Sequence, residues 1–289
     1  LDEPTAVLTP QEAKRLFEIL NNLRADGKSV VFISHRLGEI MEISDRISVM
    51  GQGAYMGTVN KAETNPVELT KLMIGREVFL NIPKKESHTG DTVLEVKDVW
   101  ISGEKEISKI RGLSFEVKAG EIVGLAGIDG NGQSELIEAI TGLRRIEKGS
   151  VILDGKDITN KSVKGIRKAG LTHIPEDRNI RGLNKEFSIA DNLIAIDFES
   201  DRFKKNGFIN NAARDEYAEN MIEKFDIRPA RAELSASSLS GGNAQKVIVA
   251  REVDAKGKLL VAAQPTRGVD IGAIESIRSI LVDVKEKGL

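Results

Sequence analysis

The 289-residue chain has no cysteine, a single tryptophan, and aromatic residues at only 4% of its length. Without thiols there is no disulfide framework, no thiolate metal site and no cysteine redox chemistry. No stretch approaches the roughly 20 apolar residues that cross a bilayer as a helix. A charge excess of one sign is missing too: 42 Lys and Arg stand against 44 Asp and Glu, a formal net charge of −2. Near-balance removes the electrostatic case for nucleic acid as the main partner. It also leaves runs such as Lys84-Lys85 and Lys204-Lys205 as solvated faces. The length has room for about two domains.

What is present is a repeat. Leu1-Asp2-Glu3-Pro4-Thr5 recurs 261 positions later as Ala262-Ala263-Gln264-Pro265-Thr266, with both carboxylates gone. At the same offset Leu16, Ile19, Leu20 and Leu23 fall on Ile277, Ile280, Leu281 and Val284, the spacing of one apolar helix face, and Gly27 falls on Gly288. Apolar phase kept over that distance points to an internal duplication, with one acidic and one neutralised copy of a site.

Punctuation divides the chain into residues 1–82, a linker at 83–91 around Pro83, and residues 92–289. Thr9 and Pro10 cap a helix that ends at Gly27. Val30 to Ile33 then reads as a buried parallel strand, with Ser34-His35 at the carboxyl end where α/β sheets bind ligands. Glu121 to Ala126 is a second buried-strand pattern, Gly127 to Gly132 a glycine loop, and Ser134 to Thr141 a helix with Leu136, Ile137 and Ile140 inward. A mostly helical insert is expected at about residues 185–238, before the sheet resumes at Lys258 to Val261.

Two loops carry anion chemistry. Gly127, Ile128, Asp129, Gly130, Asn131, Gly132, Gln133 and Ser134 fit G-x-x-x-x-G-K-[ST] everywhere except the lysine, where Gln133 stands. The glycines let backbone N–H groups surround phosphate oxygens, the helix N-terminus adds its positive end, and the Ser134 hydroxyl suits a magnesium ion. Gln133 donates hydrogen bonds but brings no charge, so binding is expected without fast hydrolysis. Taken alone, the loop is equally a tight glycine turn. The second loop is Leu239-Ser240-Gly241-Gly242-Asn243-Ala244-Gln245, with a hydroxyl and N–H donors at a helix mouth.

In this order, the loops and the strand-end site resemble an ABC-type ATPase over essentially the whole chain. The resemblance implies an α/β P-loop NTPase fold with a mainly parallel RecA-like sheet, an antiparallel β subdomain and a helical subdomain. It implies the C-terminal part of a first domain and a nearly complete second one. ATP and Mg2+ are the implied cofactors. Asp2 matches the acid that holds magnesium through water, Glu3 the general base, and His35 the histidine at the γ-phosphate; Ala263 and Gln264 are their decayed counterparts. Asp270 matches the D-loop aspartate, where the first copy has Thr9. Glu176, in Pro175-Glu176-Asp177-Arg178, stands where the family usually has a metal-touching glutamine. Trp100 is open between stacking on adenine and a place in the core. Family domains pair head to tail, so Ser240, Gly241 and Gly242 are expected to complete the site of Asp2, Glu3 and His35.

Met73-Ile74-Gly75-Arg76-Glu77, Ser34-His35-Arg36-Leu37 and Gln264-Pro265-Thr266-Arg267-Gly268 are similar to the tandem ATP-binding subunits of bacterial sugar and nucleoside importers. The 127–134 loop is similar to the nucleoside branch, linked to basic membrane lipoproteins. That likeness implies transmembrane permease partners, an extracytoplasmic substrate-binding lipoprotein as an indirect one, and a peripheral place on the cytoplasmic face of the membrane. By the repeat offset, about 170 residues are expected before Asp2 and a second strand-end histidine beyond Leu289, which makes the chain a fragment with neither site complete. Two alternatives are a soluble tandem ATPase acting on ribosomes or DNA, for which a basic linker or zinc-binding cysteines are missing, and a non-catalytic nucleotide-binding module.

Overall fold

A computed structural model of the chain describes residues 1–5, 8–51, 53–76, 82, 89–102, 108–128 and 130–287. Two units separate: residues 1–81 with 268–275, and residues 82–267 with 276–289.

In the first unit, helix α1 spans Pro10–Ala25. The Thr9 side chain accepts from the Glu12 amide at 3.3 Å while the Glu12 carboxylate accepts from the Thr9 amide at 2.8 Å. This reciprocal capping box follows from threonine at the cap and glutamate three residues on. Phe17 and Leu20 are buried with Ile43, against Phe32. Helix α2 (Leu37–Ile43), the antiparallel pair β1 (Arg46–Gly51) and β2 (Ala54–Asn60), and helix α3 (Pro66–Ile74) follow. Asn65 caps α3, and Gly75 closes it in the left-handed conformation.

Val30 to Ile33 departs from the expected buried strand. It makes a single parallel bridge, Asp2 with Ile33. Phe32 packs inward while Val31 is 76% and Ile33 54% exposed. With one brief neighbour and one packed face, the apolar run alternates between core and solvent.

The second unit opens with β3 (Thr92–Ser102) and β4 (Ser108–Lys118), followed by helix α4 (Gln133–Ile140), β5 (Lys148–Leu153) and β6 (Lys156–Asp157). The four strands form an antiparallel sheet in the order β4-β3-β5-β6. Leu94, Val96, Ile101, Val151 and Leu153 face Leu136 and Ile140 of α4 in one core. Gly149 sits at φ 95°, and a side chain there would meet the Asp98 carbonyl at 2.3 Å. Helix α5 (Val163–Ala169) and β7 (Leu171–Ile174) follow.

The helical insert contains α6 (Ile189–Ile194), the small ribbon β8 (Lys204–Lys205) with β9 (Phe208–Ile209), and α7 (Asn211–Lys224). Leu193, Tyr217, Met221 and Phe225 pack there against Val247 of α8 (Gly241–Asp254). Then come β10 (Leu259–Ala262) and α9 (Ile271–Glu286), whose first residues belong to the segment grouped with the first unit.

The sheet architecture corrects the expectation of a mainly parallel sheet. Among the described residues, parallel pairing is confined to β10 with β7 and the Asp2–Ile33 bridge, and antiparallel ladders predominate. Residues 121–126 form no strand: Ile122 is 53%, Val123 38% and Leu125 51% exposed. Together with β10 they line a cavity of about 800 Å³. The apolar pattern is that of a buried strand, but a strand needs ladder partners, and none pairs with this segment among the described residues.

Candidate functional site

In the first unit, backbone bonds bring the chain start alongside residues 31–33. The Ile33 amide donates to the Leu1 carbonyl and the Glu3 amide to the Ile33 carbonyl, each at 2.9 Å. Glu3 then adopts φ 41°, a left-handed conformation that turns its side chain to His35, with Nδ1 2.6 Å from Oε1. Behind them Glu39 accepts from the hydroxyls of Thr5 (2.5 Å) and Ser34 (3.1 Å), and from Arg36 Nη1 at 3.0 Å. One half-buried carboxylate thus ties both strand ends together and fixes the spacing of Glu3 and His35. Glu39 went unnoticed in the sequence because its partners lie up to 34 residues away. Asp2 is exposed and its carboxylate has no hydrogen-bond partner among the described residues.

In the second unit, the glycine loop leads into α4. Gly130 and Gly132 have φ 87° and 102°, values that favour glycine, and Gly132 lies against the Lys109 carbonyl and Ile110. Gln133 folds back over Gly127, so that even a methyl group on Gly127 would collide with its amide. Asp129 lies outside the described residues. Ser134 Oγ donates to Glu176 Oε2 at 3.2 Å. Glu176 Oε1 accepts from Gln264 Nε2 at 3.0 Å and from Arg267 Nη1 at 2.5 Å. Arg178 Nη1 donates to the Arg267 carbonyl at 2.7 Å, holding that turn in place. Gly127, Gly130, Gln133, Ser134, Glu176 and Gln264 converge on one end of the cavity.

Ser134 Oγ and the Glu176 carboxylate are the oxygens that would hold a magnesium ion beside the phosphates. The Ser134 hydroxyl donates its proton to Glu176 and keeps its lone pairs, and the two oxygens of Glu176 are met by three donors, one of them a guanidinium. Ala263 offers no oxygen, and Gln264 presents its N–H side. No group of three His, Cys, Asp or Glu suited to a metal occurs among the described residues.

Ser240 caps α8, accepting from the Asn243 amide at 3.4 Å and from its side chain at 3.0 Å, and is exposed. Gly241 is half-buried, Gly242 is buried, and this loop does not line the cavity. Asp270 caps the start of α9 through the Ala273 amide, within the segment grouped with the first unit. Trp100 is half-buried, its Nε1 donating to Asp98 at 2.8 Å with Lys148 over the ring.

Comparison with known proteins settles the lineage. The family model described as ABC transporter matches residues 110–267. The chain belongs to the ABC transporter family. It is 45% identical over 287 residues to the nucleoside import ATP-binding protein NupA of Lactococcus lactis subsp. cremoris, covering 99% of this chain and 57% of that one. It is 44% identical to the guanosine import ATP-binding protein NupO of Bacillus subtilis, covering 99% and 56%. It is 38% identical to the ribose import ATP-binding protein RbsA of the same organism, covering 100% and 57%. The chain thus spans a little over half the length of these ABC relatives. Among solved structures, a nucleotide-free ATP-binding cassette aligns with TM-score 0.56 at 24% identity, over 69% of this chain and 79% of that one. An ATP-binding cassette bound to ADP and Pi aligns with TM-score 0.57 at 23% identity, over 67% and 83%. These two likenesses show the ABC fold, with mixed α and β content.

Besides Glu39, two residues were not singled out in the sequence: Arg267, paired with Glu176, and Lys109, whose Nζ donates to the Gly130 carbonyl at 3.1 Å. The signal for Lys109 was the missing charge at position 133, which asks for a cation from elsewhere.

Proposed function

We propose that this chain is part of an ATP-binding and ATP-hydrolysing subunit that energises import of nucleosides or simple sugars through a bacterial ABC transporter. It acts at the cytoplasmic face of the membrane with transmembrane permease subunits, and indirectly with a substrate-binding lipoprotein. No helix among the described residues is long and apolar enough to cross a membrane, which is compatible with a peripheral subunit. The nucleoside branch is favoured by the two most similar relatives quoted above, both nucleoside importers by name.

The observation that carries the reading is the contrast at matching positions. Glu3 and Gln264 share a left-handed backbone, φ 41° and 43°. Glu3 meets a histidine at 2.6 Å, whereas Gln264 donates to Glu176. In the proposed hydrolytic site His35 orients Glu3, leaving the second carboxylate oxygen to take a proton from the attacking water. Asp2 would hold Mg2+, which when bound neutralises charge on the phosphates. Ser240, Gly241 and Gly242 serve the same nucleotide through N–H donors at the α8 terminus, and Asp270 is the D-loop residue of the pair. The loop from Gly127 to Ser134, with Asp129 and Asn131, cradles a second nucleotide that is bound and not cleaved.

The test is ATPase activity of the intact importer. Glu3→Gln is expected to lower turnover roughly 100- to 10,000-fold, the worth of a positioned general base. Gln264→Ala is expected to leave it within about twofold of wild type, since a neutral amide offers no base. Equal losses from both would refute the asymmetry.

A further inference from the structure

We propose that Lys109 supplies the positive charge that position 133 lacks to a nucleoside triphosphate held by the loop from Gly127 to Ser134. The inference rests on the reading of this loop as a nucleotide cradle and adds to it the source of its charge.

A phosphate loop needs a cation because N–H dipoles alone offset little of the charge on a triphosphate. Gln133 does not meet that need: it is neutral and folded against Gly127. Lys109 reaches over from β4 and its Nζ donates to the Gly130 carbonyl at 3.1 Å. The root of that side chain is fixed to the same loop, since Gly132 is packed so closely on Lys109 that an added Cβ would lie 3.2 Å from its carbonyl oxygen. Backbone contact thus sets where Lys109 starts, and the hydrogen bond sets where its charge ends.

The charge is also uncommitted. Lys97, Lys148 and Lys224 each pair with a carboxylate, Glu95, Asp98 and Asp254 respectively. Lys109 has no carboxylate partner among the described residues. Exchanging a neutral carbonyl for an anionic phosphate oxygen strengthens its bond, because charge-assisted hydrogen bonds are about twice as strong as neutral ones. The nearby acid does not cancel this gain: Glu176 is already paired with Arg267 and bonded to Gln264 and Ser134. These three contacts keep Glu176 from repelling the phosphates.

Calorimetric titration of the 289-residue chain with ATP, in EDTA and in excess magnesium, tests the proposal. Affinity for ATP is the readout in both conditions. Lys109→Ala is expected to weaken it about 10-fold under both conditions, Lys109→Arg to retain it, and Lys97→Ala to leave it unchanged. Gly132→Val, which blocks the loop, is expected to abolish the signal and so assign it to this site. Binding that ignores Lys109→Ala overturns the inference and leaves the nucleotide reading standing. No binding in either condition, or binding that survives Gly132→Val, overturns both.

Discussion

Replacing Glu252 by alanine is expected to be among the most damaging single changes in the second unit. Its side chain is fully buried and joins three elements. Arg167 Nη2 on α5 donates to both of its oxygens at 3.0 Å, the backbone amide of His173 on β7 donates at 3.1 Å, and Arg251, its neighbour on α8, donates through Nε at 3.2 Å and Nη2 at 3.1 Å. Without the carboxylate, Arg167 can turn to solvent, being 28% exposed, but Arg251 cannot, at 7%. Leaving one member of a buried pair unpaired costs about 3–5 kcal/mol, a large fraction of the roughly 5–15 kcal/mol that holds a domain folded. Trp100 is the only tryptophan and lies in this unit, so its fluorescence reports the unfolding directly. With a urea dependence of about 2–3 kcal/mol per molar, the midpoint should fall by roughly 1–2 M. Replacing both Arg251 and Glu252 by methionine should recover most of that loss, because a buried pair exchanged for apolar bulk is often neutral. A fall below about 0.3 M for Glu252→Ala, worth under roughly 1 kcal/mol by the same slope, would refute the account of α5, β7 and α8 as braced by one charge.

Acid should act on the same unit through His173. Burial pushes this imidazole down to about 4 from 6.5, and its Nε2 has no partner among the described residues. The unfolded chain therefore binds a proton that the folded one refuses, so the contribution is whole above pH 6.5 and lost as pH falls from there towards 4. It amounts to at most roughly 3 kcal/mol. His173→Phe should flatten the urea midpoint across that window, and a slope parallel to wild type would count against the assignment. At Gly149, alanine would be driven into the Lys97 and Asp98 carbonyls at 2.4 and 2.3 Å in a left-handed conformation. A loss of about 3 kcal/mol or more is expected, again read by Trp100, whose own strand carries those carbonyls. An unchanged midpoint would mean that β3 and β5 separate freely.

Features set by neighbours in sequence were legible before the fold was known. Thr9 and Pro10 announce α1 and Ser240 announces α8, because a cap is a bond between a side chain and an amide two or three residues on. Burial of apolar runs was less legible. Val30 to Ile33 and Glu121 to Ala126 have the composition of doubly covered strands, but composition does not say how many neighbours a strand obtains. The remaining losses were long-range pairings. Glu39 with Thr5, Glu176 with Gln264, and Lys109 with Gly130 join residues that no local pattern connects. At Ala263 and Gln264 the sequence predicts lost chemistry, and the structure shows what stands there: an arginine and an amide satisfying Glu176.

Residues 121–126 bear on how the molecule behaves in bulk. Their amides and carbonyls find no ladder, and β10 is laddered on one side only, by β7, among the described residues. Val123 and Leu125 stand in water along the same stretch. Unpaired backbone flanked by apolar side chains is the template on which further strands add, whether from the same polypeptide or from another molecule. Colloidal stability of this chain is therefore set less by its balanced surface charge than by whether that open seam is occupied, and crowded solutions of it should gel or cloud before they unfold.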